Sequence, residues 1–267
     1  MYYFRKKRVI RYVVTALAFA LTLSLAACNS ANDEKSETGS GGYDPVPYFT
    51  AMPSDDMPDN VPASVSVGDL VQFGGFEWRV LELKDGKALI LTEDIIAERP
   101  YNEKLKSVTW EKCTLREYVN GEFLQSLTGD GQGRIVETKV SNPDNLWFGT
   151  PGGADTYDKA FLLSLEESDK YFGDSGDYVN KIRWVFDYDK NELIEDSDGM
   201  LLSNEFNEDR KAFSDNRLRI VAWWYWLRSP GGSSDRAAHT MGSVDVRGPQ
   251  VNVEVGGVRP ALWLELE

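Results

Sequence analysis

Four aromatic residues in a row, Trp223-Trp224-Tyr225-Trp226, run into Leu227-Arg228-Ser229-Pro230-Gly231-Gly232, and this stretch limits the fold more than any other. Side chains of an extended chain alternate between faces, so Trp224 and Trp226 share one side and Trp223 and Tyr225 the other. At least one pair must meet a core, because so much aromatic surface is costly to leave in water. The expectation is a largely buried strand that stops at a Ser/Pro/Gly turn, with at most one aromatic pair left for a ligand. The stretch is answered further on by Gly256-Gly257-Val258-Arg259-Pro260-Ala261-Leu262. Residues 237–241, 243–247, 251–255 and 258–266 alternate apolar and polar positions, as in Val244/Val246, Val251/Val253/Val255 and Leu262/Leu264/Leu266. Such segments predict short half-buried strands joined by tight turns.

Upstream, residues 71–73, 76–83 and 88–92 are apolar runs separated by Gly74-Gly75 and by Lys84-Asp85-Gly86-Lys87, which predicts a three-stranded antiparallel meander. Phe76, Trp78 and Val80 fall on one face, so Trp78 belongs to the core. Residues 109–127 predict a helix: Thr114 and Glu117 have capping-box spacing, and Leu115, Tyr118, Val119, Phe123 and Leu127 recur at three and four. Residues 142–158 form a turn-rich loop in which Trp147 and Phe148 either face a ligand or peg the loop to the core. Residues 159–163 predict a short apolar strand. Ser164 and Glu167 then cap a second helix, 165–172, ended by Gly173.

Several of these segments carry a resemblance. WLRSPG and GGVRPAL, with Phe73-Gly74-Gly75-Phe76-Glu77-Trp78-Arg79-Val80-Leu81, Thr114-Leu115-Arg116-Glu117-Tyr118 and Asn142-Pro143-Asp144-Asn145, resemble in order an uncharacterised domain family common in surface proteins of Gram-positive bacteria. Gly149-Thr150-Pro151-Gly152-Gly153 and Asp158-Lys159-Ala160-Phe161-Leu162-Leu163-Ser164 fit the same pattern. The resemblance spans residues 65–267. It implies an α+β, C-type-lectin-like fold of short antiparallel strands, two main helices and long loops, distantly similar to formylglycine-generating enzymes. It implies no activity.

The N-terminal part has a different character. Arg5, Lys6, Lys7, Arg8 and Arg11 precede residues 12–25, an uncharged apolar run too short to span a bilayer as a lasting helix. It ends in Leu25-Ala26-Ala27-Cys28, which resembles a bacterial lipobox, so 1–27 is expected to be a lipoprotein signal peptide and Cys28 to carry a diacylglycerol. The mature chain would then sit lipid-anchored on the extracellular face of the cell membrane. Residues 28–62, rich in Ser, Gly, Asp, Glu and Pro, are expected to be a disordered tether of about 30 Å. Residues 63–267 form the single domain. Loss of the five basic residues in 1–27 leaves 24 against 43 acidic ones, a net charge of −19. That balance argues against nucleic acid as a partner.

Three classes of function fit the residues. A binding module for a glycan or a surface protein would use Trp224, Trp226, Arg228, Asp235, Asn145 and Trp147, with aromatic faces on apolar sugar faces and polar groups on hydroxyls. The plainer roles are core packing for the tryptophans and pairing with core carboxylates for Arg228 and Arg259. A structural or adhesive scaffold is the second class. An enzyme is the third, but the copper-holding cysteine pair of the formylglycine-generating enzymes is missing, since Cys28 goes to lipid and Cys113 stands alone. A lone Cys113 reads as a small buried residue. His239 is the single histidine, so a three-histidine zinc site is excluded, and a triad with Ser229 or Ser243 lacks any nucleophile-elbow motif. The acidic residues leave a carboxylate-pair glycosidase open. No cofactor is called for. Asp187, Asp189, Asn191 and Asp198 echo a calcium loop, although Glu192 replaces the turn glycine and a solvated acidic insertion is the commoner origin of such spacing.

The anchor is directly testable. Cys28→Ser is expected to abolish lipid attachment and to leave the leader uncleaved by the lipoprotein peptidase. Intact mass of the membrane-extracted wild type checks this, and a free Cys28 thiol would refute it.

Overall fold

The computed structural model describes residues 49–266 apart from 130, 173–182, 188–191, 196–198, 203–206 and 215–222. Residues 46–267 make one compact unit. Its elements begin with β1 (Leu70–Phe73), β2 (Phe76–Lys84), β3 (Lys87–Thr92) and β4 (Ala97–Glu98), followed by helices α1 (Thr114–Tyr118) and α2 (Leu124–Ser126). Next come β5 (Ile135–Val136), β6 (Thr138–Val140), β7 (Thr156–Asp158) and α3 (Leu165–Phe172). β8 (Arg183–Asp187), β9 (Glu192–Glu195), β10 (Leu201–Leu202) and α4 (Asn207–Arg210) lead to the last strands. These are β11 (Tyr225–Pro230), β12 (Ala237–Thr240), β13 (Val244–Asp245), β14 (Gly257–Val258) and β15 (Ala261–Glu265). Short strands with few helices make the fold α+β. Among the described residues no helix is long and apolar enough to cross a membrane.

Two main sheets share the core. One runs β1-β2-β3-β15-β5 and the other β4-β14-β11-β12-β13-β10-β8-β9, with β6 and β7 forming a separate hairpin. The expected meander is the start of the first sheet: Phe73 faces Phe76 across Gly74-Gly75, both of which take positive φ. Phe76, Trp78 and Val80 are buried on one face, as period two requires. The chain then passes from β3 into the second sheet and returns from β14 to β15. These two crossings lie side by side: Thr92 N donates to Pro260 O at 3.0 Å and Ile96 N to Val258 O at 2.9 Å. Buried Arg259 locks them, donating from Nε to Thr92 O at 2.8 Å and from Nη2 to Glu93 O at 3.0 Å.

Several expectations need correction. Residues 160–163 are buried, but residues 159–163 do not form a strand. Phe161 bridges Ala261 of the first sheet, while Leu163 O accepts from Arg228 N of the second at 2.9 Å, so the segment belongs to neither. The helix predicted over 109–127 starts at Thr114, after a tight turn at Trp110–Lys112. Its cap is Cys113, whose Sγ accepts from Arg116 N at 3.4 Å, and Thr114 Oγ1 instead accepts from Glu103 N. The helix widens to a π turn over Val119–Phe123. There Asn120 Nδ2 bonds Arg116 O and Ala160 O, and its Oδ1 accepts from Lys159 N and Ala160 N. An inserted side chain of this kind breaks a helical ladder. The five apolar positions of the predicted helix are buried nonetheless.

Residues 251–255 form turns, because Val251 gives its N–H to Asp235 O and its carbonyl accepts from Asn102 N. Val255 is 54% exposed. Within residues 28–62, expected to be a disordered tether, residues 51–60 are bonded to the domain: Ala51 N bonds Ile96 O, Ser54 N bonds Gly75 O, Asn60 bridges Gln72, and Asp59 Oδ1 accepts from Gly74 N. Those bonds repay the ordering that composition alone argues against.

The second predicted helix forms with its capping box. Ser164 Oγ accepts from Glu167 N at 3.1 Å, and a Glu167 oxygen accepts from Ser164 N at 2.9 Å. The same carboxylate holds Arg228. This buried guanidinium donates from Nη1 to Leu162 O (2.7 Å) and Glu167, and from Nη2 to Glu167 (3.0 Å) and Ser141 O (2.9 Å). Nε donates to Ser141 O at 3.3 Å. All five donors are used. Lysine offers three donors on a flexible stem, so Arg228→Lys is expected to lose about 3–5 kcal/mol. Glu167→Gln keeps an oxygen for the cap and should lose less. Urea midpoints check both, and an Arg228→Lys protein as stable as the wild type would contradict the assignment.

Candidate functional site

Strand β11 is buried along its whole length, which removes the expected aromatic ligand face. Trp226 is 0% exposed; its indole N–H donates to Arg99 O at 2.8 Å. A side chain at Gly256 would meet that indole, 1.9 Å from the Cβ position, so the glycine there is a packing requirement. Trp224 is half-buried, wedged edge-on between Trp226 and His239 with both ring centroids 4.9 Å away. Tyr225 donates its hydroxyl to Arg210 O and accepts from Arg259. Trp223 is 57% exposed. Alternation holds, but the outer partner of Tyr225 is the open one, and Trp226 is core. Arg228 has no donor left for a ligand, and is corrected to a structural residue. Arg259 is buried likewise, chiefly on carbonyls.

Asn145 is also internal. Its amide donates to Pro230 O (2.9 Å), Gly231 O (3.3 Å) and Val246 O (2.7 Å), and its Oδ1 accepts from Trp147 N (3.1 Å). It is therefore a staple rather than a ligand contact. What it staples is informative, because the loop after Asn142 is tied to the turn after β11 and to the segment after β13. Further bonds bring in the loop after Pro100: Val108 N donates to Ser234 O, Ser107 and Ser234 share a hydroxyl bond of 2.8 Å, and Asn102 N reaches Val251 O.

Four separate parts of the chain thus meet at one rim, and its exposed side chains differ from those expected. Trp147 packs half-buried against the core and acts as a peg. Leu146 is 53% and Phe148 37% exposed. Asp235 stays at the rim, its carboxylate held below the ordinary range by the Ser233 hydroxyl that donates to it. Arg247 is exposed on the same rim. The Leu146 and Arg247 positions carry no local motif, whereas Phe148 stands with Trp147 in the turn-rich loop that the sequence marks as a possible ligand face.

The serine and cysteine candidates are engaged in packing and capping bonds. Ser229 Oγ accepts from Leu165 N at 3.0 Å and Ser243 Oγ pairs with Asn207 at 3.3 Å, so both hydroxyls are engaged away from His239. Burial pushes the Cys113 thiol up to about 12, against the lowering effect of backbone N–H groups, which suits a packed residue and not a nucleophile. Asp189, Asn191, Asp198 and the side chain of Asp187 lie outside the described residues. The backbone places Asp187 at the end of β8, paired with Glu192 of β9.

His239 is buried, with Nδ1 3.9 Å from Asp245 and no hydrogen bond at that nitrogen. Burial holds its pKa below the ordinary value, and the Asp245 charge pulls the other way without overcoming this. The folded state therefore favours the neutral ring, and the unfolded chain takes up the proton first. Stability present above about pH 6.5 should be lost as pH falls from there toward the lower folded-state value. Because the chain has one histidine, comparing melting temperatures of wild type and His239→Gln at pH 7.5 and 5 isolates it. The wild type should lose more on acidification than the variant.

No curated protein and no solved structure matches the chain. A family model does, over residues 85–266, from the turn between β2 and β3 through the end of β15. That span is more than half of the sequence and holds the rim, both sheet crossings and the Arg228 site. On it, the chain belongs to the family described as a domain of unknown function, DUF6273.

Proposed function

We propose that this protein is a lipid-anchored extracellular binding module whose stapled loop rim recognises a glycan or a surface protein. The observation that carries the reading is the contrast at that rim. Buried bonds from Asn145 fix loops from distant parts of the chain, while Leu146 and Phe148, its neighbours in sequence, remain exposed to water. Loops held this firmly lose little entropy on binding, and exposed aromatics on a fixed loop are suited to recognition. The α+β architecture with long loops gathered together supports the C-type-lectin-like reading of the fold. The basic leader, the apolar run and Leu25-Ala26-Ala27-Cys28 support the signal peptide, the diacylglycerol on Cys28 and the outer membrane face. On this reading the tether runs only from Cys28 to about residue 48.

The test is a glycan array probed with the full chain in detergent, with calcium and with chelator. Saturable binding to a defined set of glycans is expected. Asp235→Ala should weaken it about tenfold, some 1.4 kcal/mol, at unchanged melting temperature. A folded chain that binds no glycan on the array would overturn the glycan reading.

A further inference from the structure

We infer that a cleft beside the β1–β2 turn binds a short neutral saccharide at a site separate from the rim. The cleft measures about 700 Å³, within the range of about 300–1,000 Å³ usual for small-ligand sites. One wall is residues 58–62, and the other holds Gly129, Gly131 and Arg134. None of these residues belongs to the rim, so the inference goes beyond the reading above and is tested apart from it.

Both walls hang from Gly74. Its N–H donates to Asp59 Oδ1 at 2.7 Å, and its carbonyl accepts from Thr128 N at 3.1 Å. Asn60 exchanges two backbone bonds with Gln72 of β1, at 2.8 and 3.3 Å, which fixes the first wall. On the second, Gln132 Nε2 donates to Leu127 O at 2.5 Å and Arg134 Nε to Glu265 O at 3.0 Å. Bare backbone on that side admits the acid: a Cβ at Gly131 would stand 2.5 Å from Asp59 Oδ2, and one at Gly129 3.2 Å from it. The cleft is therefore formed before a ligand arrives, and binding costs little ordering.

The chemistry of the walls narrows the ligand. Among the described residues Asp59 is the one carboxylate lining the cleft, and its Oδ2 accepts no hydrogen bond from any of them. An anion would be repelled by that oxygen, and a single carboxylate is too few for a hard divalent cation. Pro58 and Pro62 have no N–H to give, so a peptide cannot be laid along this wall as an added strand. An amine would satisfy Asp59 and leave the rest of the wall unused. The complement is a compact ligand that both donates and accepts. Asp59 Oδ2 suits a hydroxyl donor, and the exposed Asn60 amide, with no partner among the described residues, both gives and accepts. Val61 and Pro62 add apolar surface for the C–H side of a pyranose. A short neutral saccharide meets all three demands together.

The experiment is calorimetry on the full chain in detergent. Maltotriose, cellotriose and triacetylchitotriose are the neutral probes, and trigalacturonate and trilysine the charged ones. One or more neutral probes should bind at least about tenfold more tightly than either charged one. Asn60→Ala removes an exposed side chain and leaves the backbone bonds to Gln72 in place. It should keep the wild-type melting temperature and weaken the bound sugar about tenfold. Asp59→Asn keeps an oxygen for Gly74 N and replaces the other by an amide, with a similar loss expected. Asp235→Ala on the rim should leave this binding unchanged. Binding of no neutral probe, or binding that survives both cleft variants, would overturn the site. A loss confined to Asp235→Ala would place the sugar on the rim and overturn the cleft while leaving the module reading standing. Trigalacturonate or trilysine bound as tightly as the neutral probes would overturn the saccharide assignment.

Discussion

The buried contact between Glu167 and Arg228 is the constraint on which most of the molecule depends. A guanidinium out of water is tolerable only when each N–H has an acceptor, and an isolated buried charge is expensive. Here the acceptors come from Ser141, Leu162 and the first turn of α3, so three chain segments must be in place before the charge is satisfied. Glu167 serves two purposes, capping α3 and neutralising the arginine. Helix, strand β11 and the unpaired segment between the sheets are therefore fixed by one residue pair. Two further buried arginines work mainly through carbonyls: Arg259 at the sheet crossing, and Arg210, which donates to Gly242 O and receives the Tyr225 hydroxyl on its own carbonyl. Burial lowers the pKa of Arg210, but carbonyl acceptors still suit a cation better than apolar packing would.

Local patterns in the sequence held where a local rule decided the outcome. The meander followed from alternation and Gly74-Gly75, and the Ser164/Glu167 box followed from spacing. Polar residues in apolar surroundings were less legible. Arg228 and Asn145 have the residue types of a ligand site, and only the tertiary fold supplies the carbonyls that absorb them. Cys113 took the capping role that spacing assigned to Thr114, because sulfur one residue earlier already faced the N–H of Arg116. Residues 251–255 alternate like a strand, but long-range loop bonds claim Val251 first. The loop that carries Phe148 was legible from its turn residues and aromatics, but the bonds that hold it to the turn after β11 were not, since the partners are far apart in sequence.

These placements change what kind of binding surface the domain can offer. With β11 enclosed, the proposed recognition would rest with the loops it supports and not with the aromatic strand. The strand supplies rigidity: its Pro230 and Gly231 carbonyls anchor Asn145, and Asn145 in turn positions the loop that displays Phe148. On the proposed reading, stability and recognition are thus carried by different residues. The rim loops can vary in exposed side chains without disturbing the buried bonds beneath them.

The position of β15 has a further consequence. It lies between β3 and β5, with Ala261 against Leu91 and Trp263 against Val136, so β3 lacks its second neighbour until residues 261–265 arrive. Such pairing over long sequence separation is slow to form. A chain emerging from its N-terminus would carry the first sheet incomplete until that strand arrives. An early stop before residue 261 would therefore leave β3 with an open, association-prone strand edge.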